Sequence, residues 1–369
     1  MFWPDDFWND RRVLLTGHTG FKGSWLALWL TAMGAKVTGL SLPAEEPSLF
    51  RQARIDELVT HIEGDIRDAA SVDAAFTKAD PQVVFHLAAQ PLVRLSYETP
   101  VETFATNVQG TVHVLDACRR ARALGVDGLQ AIVCITSDKA YENREWVWPY
   151  RESDPMGGHD PYSASKGAAE LVIAAFRSSY FSKAGAPLLA SVRAGNVIGG
   201  GDWAQDRLLP DLIRALVAGQ RPLIRSPDAI RPWQHVLEAL GGYLLIARHL
   251  VQGVSWAASA WNFGPADDDT RPVRWIADQM VAQWNAQTGQ SLGWDHPAPT
   301  GSAPHEAAIL KLDCAKARAM LGWRPALNLD TALQRIVDWH RHVADGGDAR
   351  YISLAQLADY CQRWALTVS

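Results

Sequence analysis

The stretch TGHTGFKG, residues 16–23, closes a short apolar run at 12–16 and opens a segment, 21–33, with a helical pattern. Gly17, Gly20 and Gly23 recur at every third position. A strand that turns this tightly into a helix brings the backbone close to a pyrophosphate and aims unpaired helix N–H groups at it. The spacing is GxxGxxG rather than GxGxxG, and a lone triad serves a packed turn equally well. Its context gives it weight. Residues 36–42, 60–66, 82–89 and 130–136 are further short apolar runs, and 71–78, 101–123 and 163–180 carry helical patterns between them. The run 188–197 adds a sixth strand. Strand and helix alternating in this way predict an α/β fold: a doubly wound parallel sheet with helices on both faces.

Beyond about Gly199 the regularity gives way to shorter pieces rich in Pro, Gly and Trp. Two units are therefore expected, a dinucleotide-binding domain over 1–199 and a smaller, mainly substrate-binding lobe over 200–369 with segments returning to the sheet. Near the end, CAKARAMLGWRP reads as a helix closed by Gly322 and Pro325, followed by an amphipathic helix over 330–342.

The net charge of −5 comes with scattered basic residues, which argues against nucleic acid or an anionic membrane surface as partner and leaves small molecules. The opening MFWPDDFWNDRR lacks an apolar signal core, and the apolar run at 25–34 is too short to span a bilayer. A cytoplasmic location is expected. The cysteines at 118, 134, 314 and 361 form no CxxC pair, as expected where thiols stay reduced. His340 and His342 stand two apart on a helix and cannot share a face, so no metal site is expected.

Inside the glycine turn, Thr19 and Phe21 complete the cofactor-facing segment, while His18 and Lys22 either touch phosphate oxygens or face solvent. The second strand ends in Ser41, Leu42 and Pro43, where an NAD-binding fold ordinarily places a carboxylate for the ribose. No Arg or Lys lies between Val37 and Arg51 to receive a 2′-phosphate, so NAD is expected over NADP. Asp65 and Ile66, in the turn GDIRD, either border an adenine or cap a helix, roles that are compatible.

Tyr162 and Lys166 stand four apart on a helix opening at Pro161. A tyrosine titrates near 10, so a phenolate base at neutral pH needs about 3 units, or about 4 kcal/mol, of stabilisation. A lysine ammonium one turn away, with a cationic nicotinamide, supplies it. Between the glycine turn and this pair lies TSDKAYEN, 136–143, where Asp138 and Lys139 follow a buried strand. They are either a charged turn or an acid and a base. Because side chains alternate across a strand, Ser137, Asp138 and Lys139 can share a pocket only if the strand ends there.

TGHTGFKG, HLAAQ at 86–90, Asn107 in NVQGT, YSASK at 162–166 and LGWRP together resemble the extended short-chain dehydrogenase/reductase superfamily, from Arg12 to about His342. TSDKAYEN, YRESDP, GNVIGGGDWAQDRLLPD and RPWQHV are similar to the CDP-glucose 4,6-dehydratases within it. The resemblance implies a Rossmann-like fold, bound NAD, and conversion of CDP-glucose to CDP-4-keto-6-deoxyglucose for deoxysugar biosynthesis, as in lipopolysaccharide O-antigen. It implies that Tyr162 takes the 4-hydroxyl proton, that Lys166 holds the ribose and tunes the phenol, and that Ser137 binds the 4-oxygen. Asp138 and Lys139 are implied in the elimination; relatives acting on dTDP-glucose carry Asp then Glu, so Lys139 departs from that pattern. Leu87, Ala88, Ala89 and Asn107 are implied to line the cofactor. Asn196, Arg207 and Arg231 are candidates for the substrate pyrophosphate, since guanidinium forks suit phosphate oxygens. His86, Gln90 and His235 either line sugar or cofactor or are satisfied core residues. The superfamily also implies a homo-oligomer, dimer or tetramer, through helices 101–123 and 163–182.

Two rivals share much of this pattern. A nucleotide-sugar 4-epimerase needs no C5 base and usually has small or apolar residues after the serine, whereas Asp138 and Lys139 stand here. A non-catalytic NAD sensor typically loses the Tyr/Lys pair, which is intact here.

Overall fold

The computed structural model describes residues 5–296 and 310–368. Six strands alternate with helices: β1 (Arg12–Thr16), β2 (Lys36–Ser41), β3 (Thr60–Glu63), β4 (Val83–His86), β5 (Ala131–Ile135) and β6 (Leu188–Arg193). After them come β7 (Val197–Ile198), β8 (Ile230–Pro232), β9 (Gln234–His235), β10 (Ala260–Asn262) and β11 (Thr270–Pro272). The main sheet has seven strands in the order β10-β6-β5-β4-β1-β2-β3, every pair parallel. The order reverses between β1 and β4, which opens a crevice at their carboxyl ends.

Side-chain alternation divides the core into two layers. Val13, Leu15, Phe85, Val133 and Ile135 pack one way, with the helices Phe21–Ala32 and Val236–Val251. Leu14, Val84, Ile132 and Cys134 pack the other way, with the helices Ala69–Ala79, Gly110–Arg119 and Pro161–Ser179. Covered on both faces, β4 and β5 are buried along their whole length, which is why they read as unbroken apolar runs.

Past residue 200 the chain serves both regions. The helix Val236–Val251 is buried nearly all round and leads to β10, which adds to the sheet beside β6. A third apolar cluster joins the helices Leu208–Val217, Val273–Thr288 and Leu329–Ala344, beside the small pairs β7 with β9 and β8 with β11. Among the described residues no helix is long and apolar enough to cross a membrane, and no group of three or more His, Cys, Asp or Glu is arranged to hold a metal ion. The four cysteines are buried and none forms a disulfide.

Two expected elements differ. The helix expected over 101–123 is broken into Pro100–Phe104, a π-helical turn at Ala105–Gln109, and Gly110–Arg119. The strand expected over 188–197 ends at Arg193, where Gly195 and Asn196 turn the chain away, Asn196 with φ 36°.

Glu238, buried at the start of its helix, ties the C-terminal region down. Its Oε1 accepts the N–H groups of Ala326 and Leu327 at 2.9 and 2.7 Å, and its Oε2 lies 3.0 Å from the Tyr360 hydroxyl. Burial pushes this carboxyl up to about 8, and the geometry suits a neutral acid whose carbonyl accepts twice and whose hydroxyl meets the phenol. A carboxyl raised in the folded state adds stability that is full at low pH and is lost as pH rises from about 4.5 through about 8. Glu238→Gln keeps an oxygen to accept the Ala326 and Leu327 N–H groups and removes the charge. In thermal unfolding followed from pH 5 to 9, the variant is expected to gain on the wild type as pH rises, by a few kcal/mol at most at about one unit per 1.4 kcal/mol.

Candidate active site

At the end of β1 the chain enters a left-handed residue, Gly17, with φ 77°. A Cβ there would sit 2.7 Å from the Ala88 nitrogen, and one at Gly23 would overlap the Gly17 carbonyl, so protein packing demands both glycines. Gly20 differs. Its nearest neighbour would be the Gly17 oxygen at 3.5 Å, an ordinary contact. Gly20 also serves as N-cap of the helix Phe21–Ala32, with no side-chain cap and no acid in the first turn. A helix start without acids or a side-chain cap, behind a glycine that packing does not require, fits a pyrophosphate, and the residues here therefore fit a dinucleotide.

The rim of this crevice is held by the protein itself. His86, at the end of β4, is buried with Nδ1 2.8 Å from Thr16 Oγ1 and Nε2 3.0 Å from Thr111 Oγ1. Both ring nitrogens are spent, and burial, with Lys166 nearby, pushes the ring down to about 3. Of the two readings of His86, site lining or satisfied core histidine, these bonds support the second, with the ring linking β1 to β4. Gln90 is likewise engaged, its amide donating to Leu92 O and Thr103 Oγ1 at 3.0 and 2.9 Å and its oxygen accepting from Leu92 N–H. His235 is buried as the N-cap of the helix Val236–Val251, its Nδ1 accepting Leu237 N–H at 3.3 Å. His18 turns inward: its ring covers Gly39 and Nε2 lies 2.7 Å from His61 Nδ1. It offers the turn its backbone and not its imidazole.

The remaining cofactor candidates line the same edge. Thr19 Oγ1 lies 2.6 Å from Ser41 Oγ at the tip of β2. Asp65 is bound by its own turn, accepting from Arg67 N–H, Nε and NH2 at 2.8, 2.8 and 2.6 Å, and Asp68, not Asp65, caps the next helix. Ile66 is buried against Gly110. Leu87, Ala88 and Ala89 are half-buried beside Gly17. Asn107 sits in the π-helical turn, a feature frequent at functional sites. Its Oδ1 accepts Gln90 N–H at 2.8 Å and its Nδ2 donates to Ser165 Oγ at 2.8 Å, joining the β4 loop to the helix Pro161–Ser179.

That helix starts because Pro161 is pre-set for a first helical position and Asp160 accepts Ser163 N–H at 2.9 Å. Tyr162 and Lys166 emerge on one buried face, with Lys166 Nζ 6.0 Å from the Tyr162 ring centre. Burial pushes the Tyr162 phenol up to about 12, against the hydrogen bond from Ser137. Burial, with Lys22 close by, brings Lys166 down to about 7.

The segment 136–143 stops being a strand where sharing a pocket requires it. β5 ends at Ile135, and Asp138–Ala140 forms a 3-10 turn capped by Ser137, whose Oγ accepts Lys139 N–H at 3.2 Å. Ser137 donates to Asp138 Oδ1 at 3.0 Å and also reaches Tyr162. Asp138 is 3% exposed, and burial raises its carboxyl above the ordinary value in spite of Lys139. Lys139 is half-buried.

Charges from the second region surround this turn. Arg231 lies near Asp138, and Arg207 near Tyr162 and Lys22. Arg207 is held by Asp202 at 3.2 Å. Lys22 faces this cluster of Arg207, Asp138 and Asp202, and burial and Arg207 bring it down to about 8. Asn196 stands between Gly195 and β7, its carbonyl accepting Gln234 N–H at 3.3 Å. The sequence reading missed Asp202, the direction of Lys22, and the buried pair Glu170 and Arg193 described below. The spacing YxxxKxxxE was a signal for Glu170, since it continues the face of Tyr162 and Lys166 by one more turn.

A parallel sheet of this order, a glycine-turn helix start and a Ser, Tyr and Lys set beside it define an extended short-chain dehydrogenase/reductase. A family model described as GDP-mannose 4,6 dehydratase matches residues 14–336, and the chain belongs to that family. It is 51% identical over 361 residues to the CDP-glucose 4,6-dehydratase of Salmonella typhimurium, covering 96% of this chain and 97% of that one. It is 29% identical to the dTDP-glucose 4,6-dehydratase of Streptomyces antibioticus, covering 89% and 92%. Among solved structures, the dTDP-glucose 4,6-dehydratase of Streptomyces venezuelae, with NAD bound, aligns with TM-score 0.74 and 23% identity over 92% of this chain and 99% of that one. The UDP-glucose 4-epimerase of Thermus thermophilus, in complex with NAD, aligns with TM-score 0.73 and 24% identity over 89% and 99%. Dehydratases and epimerases thus share the fold, and in this chain the turn after Ser137 carries Asp138 and Lys139.

Gly195 offers a test of that turn. A Cβ at this position would overlap the Asp138 carboxylate. Gly195→Ala is expected to cut turnover by about a hundredfold or more, the scale of a small misplacement of reacting groups, with cofactor content unchanged. Steady-state rates and cofactor released on denaturation check both parts.

Proposed function

We infer that this chain is an NAD-dependent lyase that dehydrates CDP-D-glucose to CDP-4-keto-6-deoxy-D-glucose. The observation that carries the reading is a buried, raised carboxyl at Asp138, with Lys139 beside it, one residue past a serine that bonds Tyr162. The 51% identity to the Salmonella CDP-glucose 4,6-dehydratase over almost the whole chain supports the substrate. When bound, NAD supplies an acceptor for the C4 hydride and then a donor for C6.

The side chains divide the proton work. Tyr162 receives the proton of the 4-hydroxyl while Ser137 holds the 4-oxygen. Its phenol, at about 12 in the closed site, must gain cationic neighbours before it can act as a base. Lys166, Lys22 and Arg207 are the cations of this cleft. Ketone formation acidifies C5, and Lys139 takes that proton as Asp138 protonates the departing C6 hydroxyl, which leaves as water; when hydride returns to C6, Lys139 gives the proton back to C5. Burial favours Asp138 in its neutral, proton-donating form. Arg207, Arg231 and Asn196 receive the diphosphate from the second region. Leu87 to Ala89, Asn107, Thr19, Ser41 and Ile66 border the dinucleotide.

An apolar strip supports assembly into a homo-oligomer. Val101 is 75% exposed and Leu171 63% exposed, on two helices that pack together, with Phe104 and Tyr180 also exposed. Charged substitution, as in Val101→Glu with Leu171→Glu, is expected to give monomers by light scattering. The enzyme is expected to act in the cytoplasm, in deoxysugar biosynthesis.

Incubation with a panel of CDP-, dTDP-, GDP- and UDP-glucose tests reaction and base together. The expected product is the 4-keto-6-deoxy sugar from CDP-glucose, with no net accumulation of reduced nicotinamide. A C4 epimer as sole product would reassign the chain to the epimerases, and stoichiometric reduced cofactor would make it a simple dehydrogenase. Tyr162→Phe is expected to lose activity by about a thousandfold, within the range for a general base, and to keep its NAD.

A further inference from the structure

Behind the active site lies a buried ion pair that the proposed chemistry does not touch. Arg193, the last residue of β6, donates from Nε and NH2 to the two oxygens of Glu170 at 2.9 and 2.8 Å, and both side chains are 4% exposed. Two further donors complete the carboxylate: Thr136 Oγ1 at 2.5 Å and Ser191 Oγ at 2.9 Å. On its other side the guanidinium donates from NH1 to the Tyr141 hydroxyl at 2.6 Å and lies over the Tyr141 ring. That hydroxyl donates in turn to Asn262 Oδ1 at 2.7 Å on β10. Asn262 is itself fixed by Tyr150 O at 2.9 Å and Glu152 Oε1 at 2.9 Å.

The attachment points are specific. Thr136 immediately precedes Ser137, and Tyr141 immediately follows Ala140, so the network grips the turn at both ends and leaves 137–140 free to face the cleft. Glu170 lies four residues after Lys166 and eight after Tyr162, on one face of one helix. Gly195, two residues past Arg193, is the backbone against which Asp138 rests. A single buried pair therefore touches the helix carrying Tyr162 and Lys166, the turn carrying Ser137, Asp138 and Lys139, and the strand end under Asp138.

We propose that Glu170 and Arg193, with Tyr141, are positioning residues that hold the Asp138–Lys139 turn in register with Tyr162, so that elimination depends on them more than hydride transfer does. The asymmetry follows from the geometry. Ser137 is next to Thr136, which has a direct bond to Glu170 and a second tie through its N–H to Val192 O at 2.9 Å. The Lys139 side of the turn is held to the pair chiefly through the Tyr141 hydroxyl, which loosening would release first.

The inference rests on the dehydratase reading, and its test separates the two. Glu170→Gln would leave Arg193 buried without its counter-charge and would compromise folding, so the informative variant is Tyr141→Phe. It keeps the ring, stacked on Tyr150, and removes only the hydroxyl. Turnover of CDP-glucose is expected to fall about tenfold to a hundredfold, with KM and bound NAD within about twofold of wild type. In a single turnover, reduced nicotinamide is expected to build up, because the first hydride step outruns elimination. Tyr150→Phe, which keeps the backbone carbonyl that fixes Asn262 and removes only a stacked phenol's hydroxyl bonded to Asn143 and Arg144, serves as the control and should change turnover less than about twofold. Unchanged turnover in Tyr141→Phe overturns the inference. So does a fall without accumulated reduced nicotinamide, or an equal fall in Tyr150→Phe. Failure of the wild type itself to give a 4-keto-6-deoxy product would overturn the assigned reaction and this inference with it.

Discussion

The left-handed turn at Gly17, pressed against the backbone of Ala88, is the constraint on which the rest of the molecule depends. It sets the end of β1 directly on the loop leaving β4, at the place where the strand order reverses. With no room for a Cβ at Gly17 or Gly23, the helix Phe21–Ala32 must start at one position and point one way. His86 reinforces the same junction with bonds to Thr16 and Thr111. A crevice fixed by backbone contact and buried hydrogen bonds needs little reorganisation to receive a dinucleotide, which lowers the cost of ordering it.

Around that crevice the protein concentrates ionisable groups in a dry environment. Lys22, Lys166, Arg207 and Arg231 bring positive charge toward Asp138 and Tyr162, while Asp202 holds Arg207. Burial acts oppositely on the two signs, raising the acids and lowering the lysines. Asp138, Tyr162, Lys22 and Lys166 are thus all moved toward neutrality. A neutral Asp138 has a proton to give and lysines moved toward neutrality can take one, which suits a reaction of several proton transfers and no net redox change.

The fold alone does not choose among the chemistries it supports. An epimerase and a dehydratase align with this chain at TM-scores of 0.73 and 0.74. In this chain a 3-10 turn after β5 presents an aspartic acid and a lysine next to Ser137 and near Tyr162. Function here is a local decision on a common frame. The frame contributes by holding that turn from behind, through Glu170, Arg193 and Tyr141.

The sequence by itself determined the alternating strands and helices, the glycine turn, the Tyr162 and Lys166 face, and the end of β5 at the Asp138 turn. Each is legible because it rests on short-range spacing: period two in strands, four in helices, three in the glycines. The tertiary structure alone decided which polar residues are fasteners. His86, Gln90, His235 and His18 look like site residues by type and position, yet each spends its polar atoms or its ring on a partner far away in sequence or on a local cap. It also decided that residues 260–262 complete the sheet and that Glu170 meets Arg193, pairings 69 and 23 residues apart at their nearest that no local pattern encodes. The physical reason is plainest for His86 and for the Glu170–Arg193 pair. A polar group is read as free until its partner is known, and in a sheet wound by crossovers the partner comes from a distant strand.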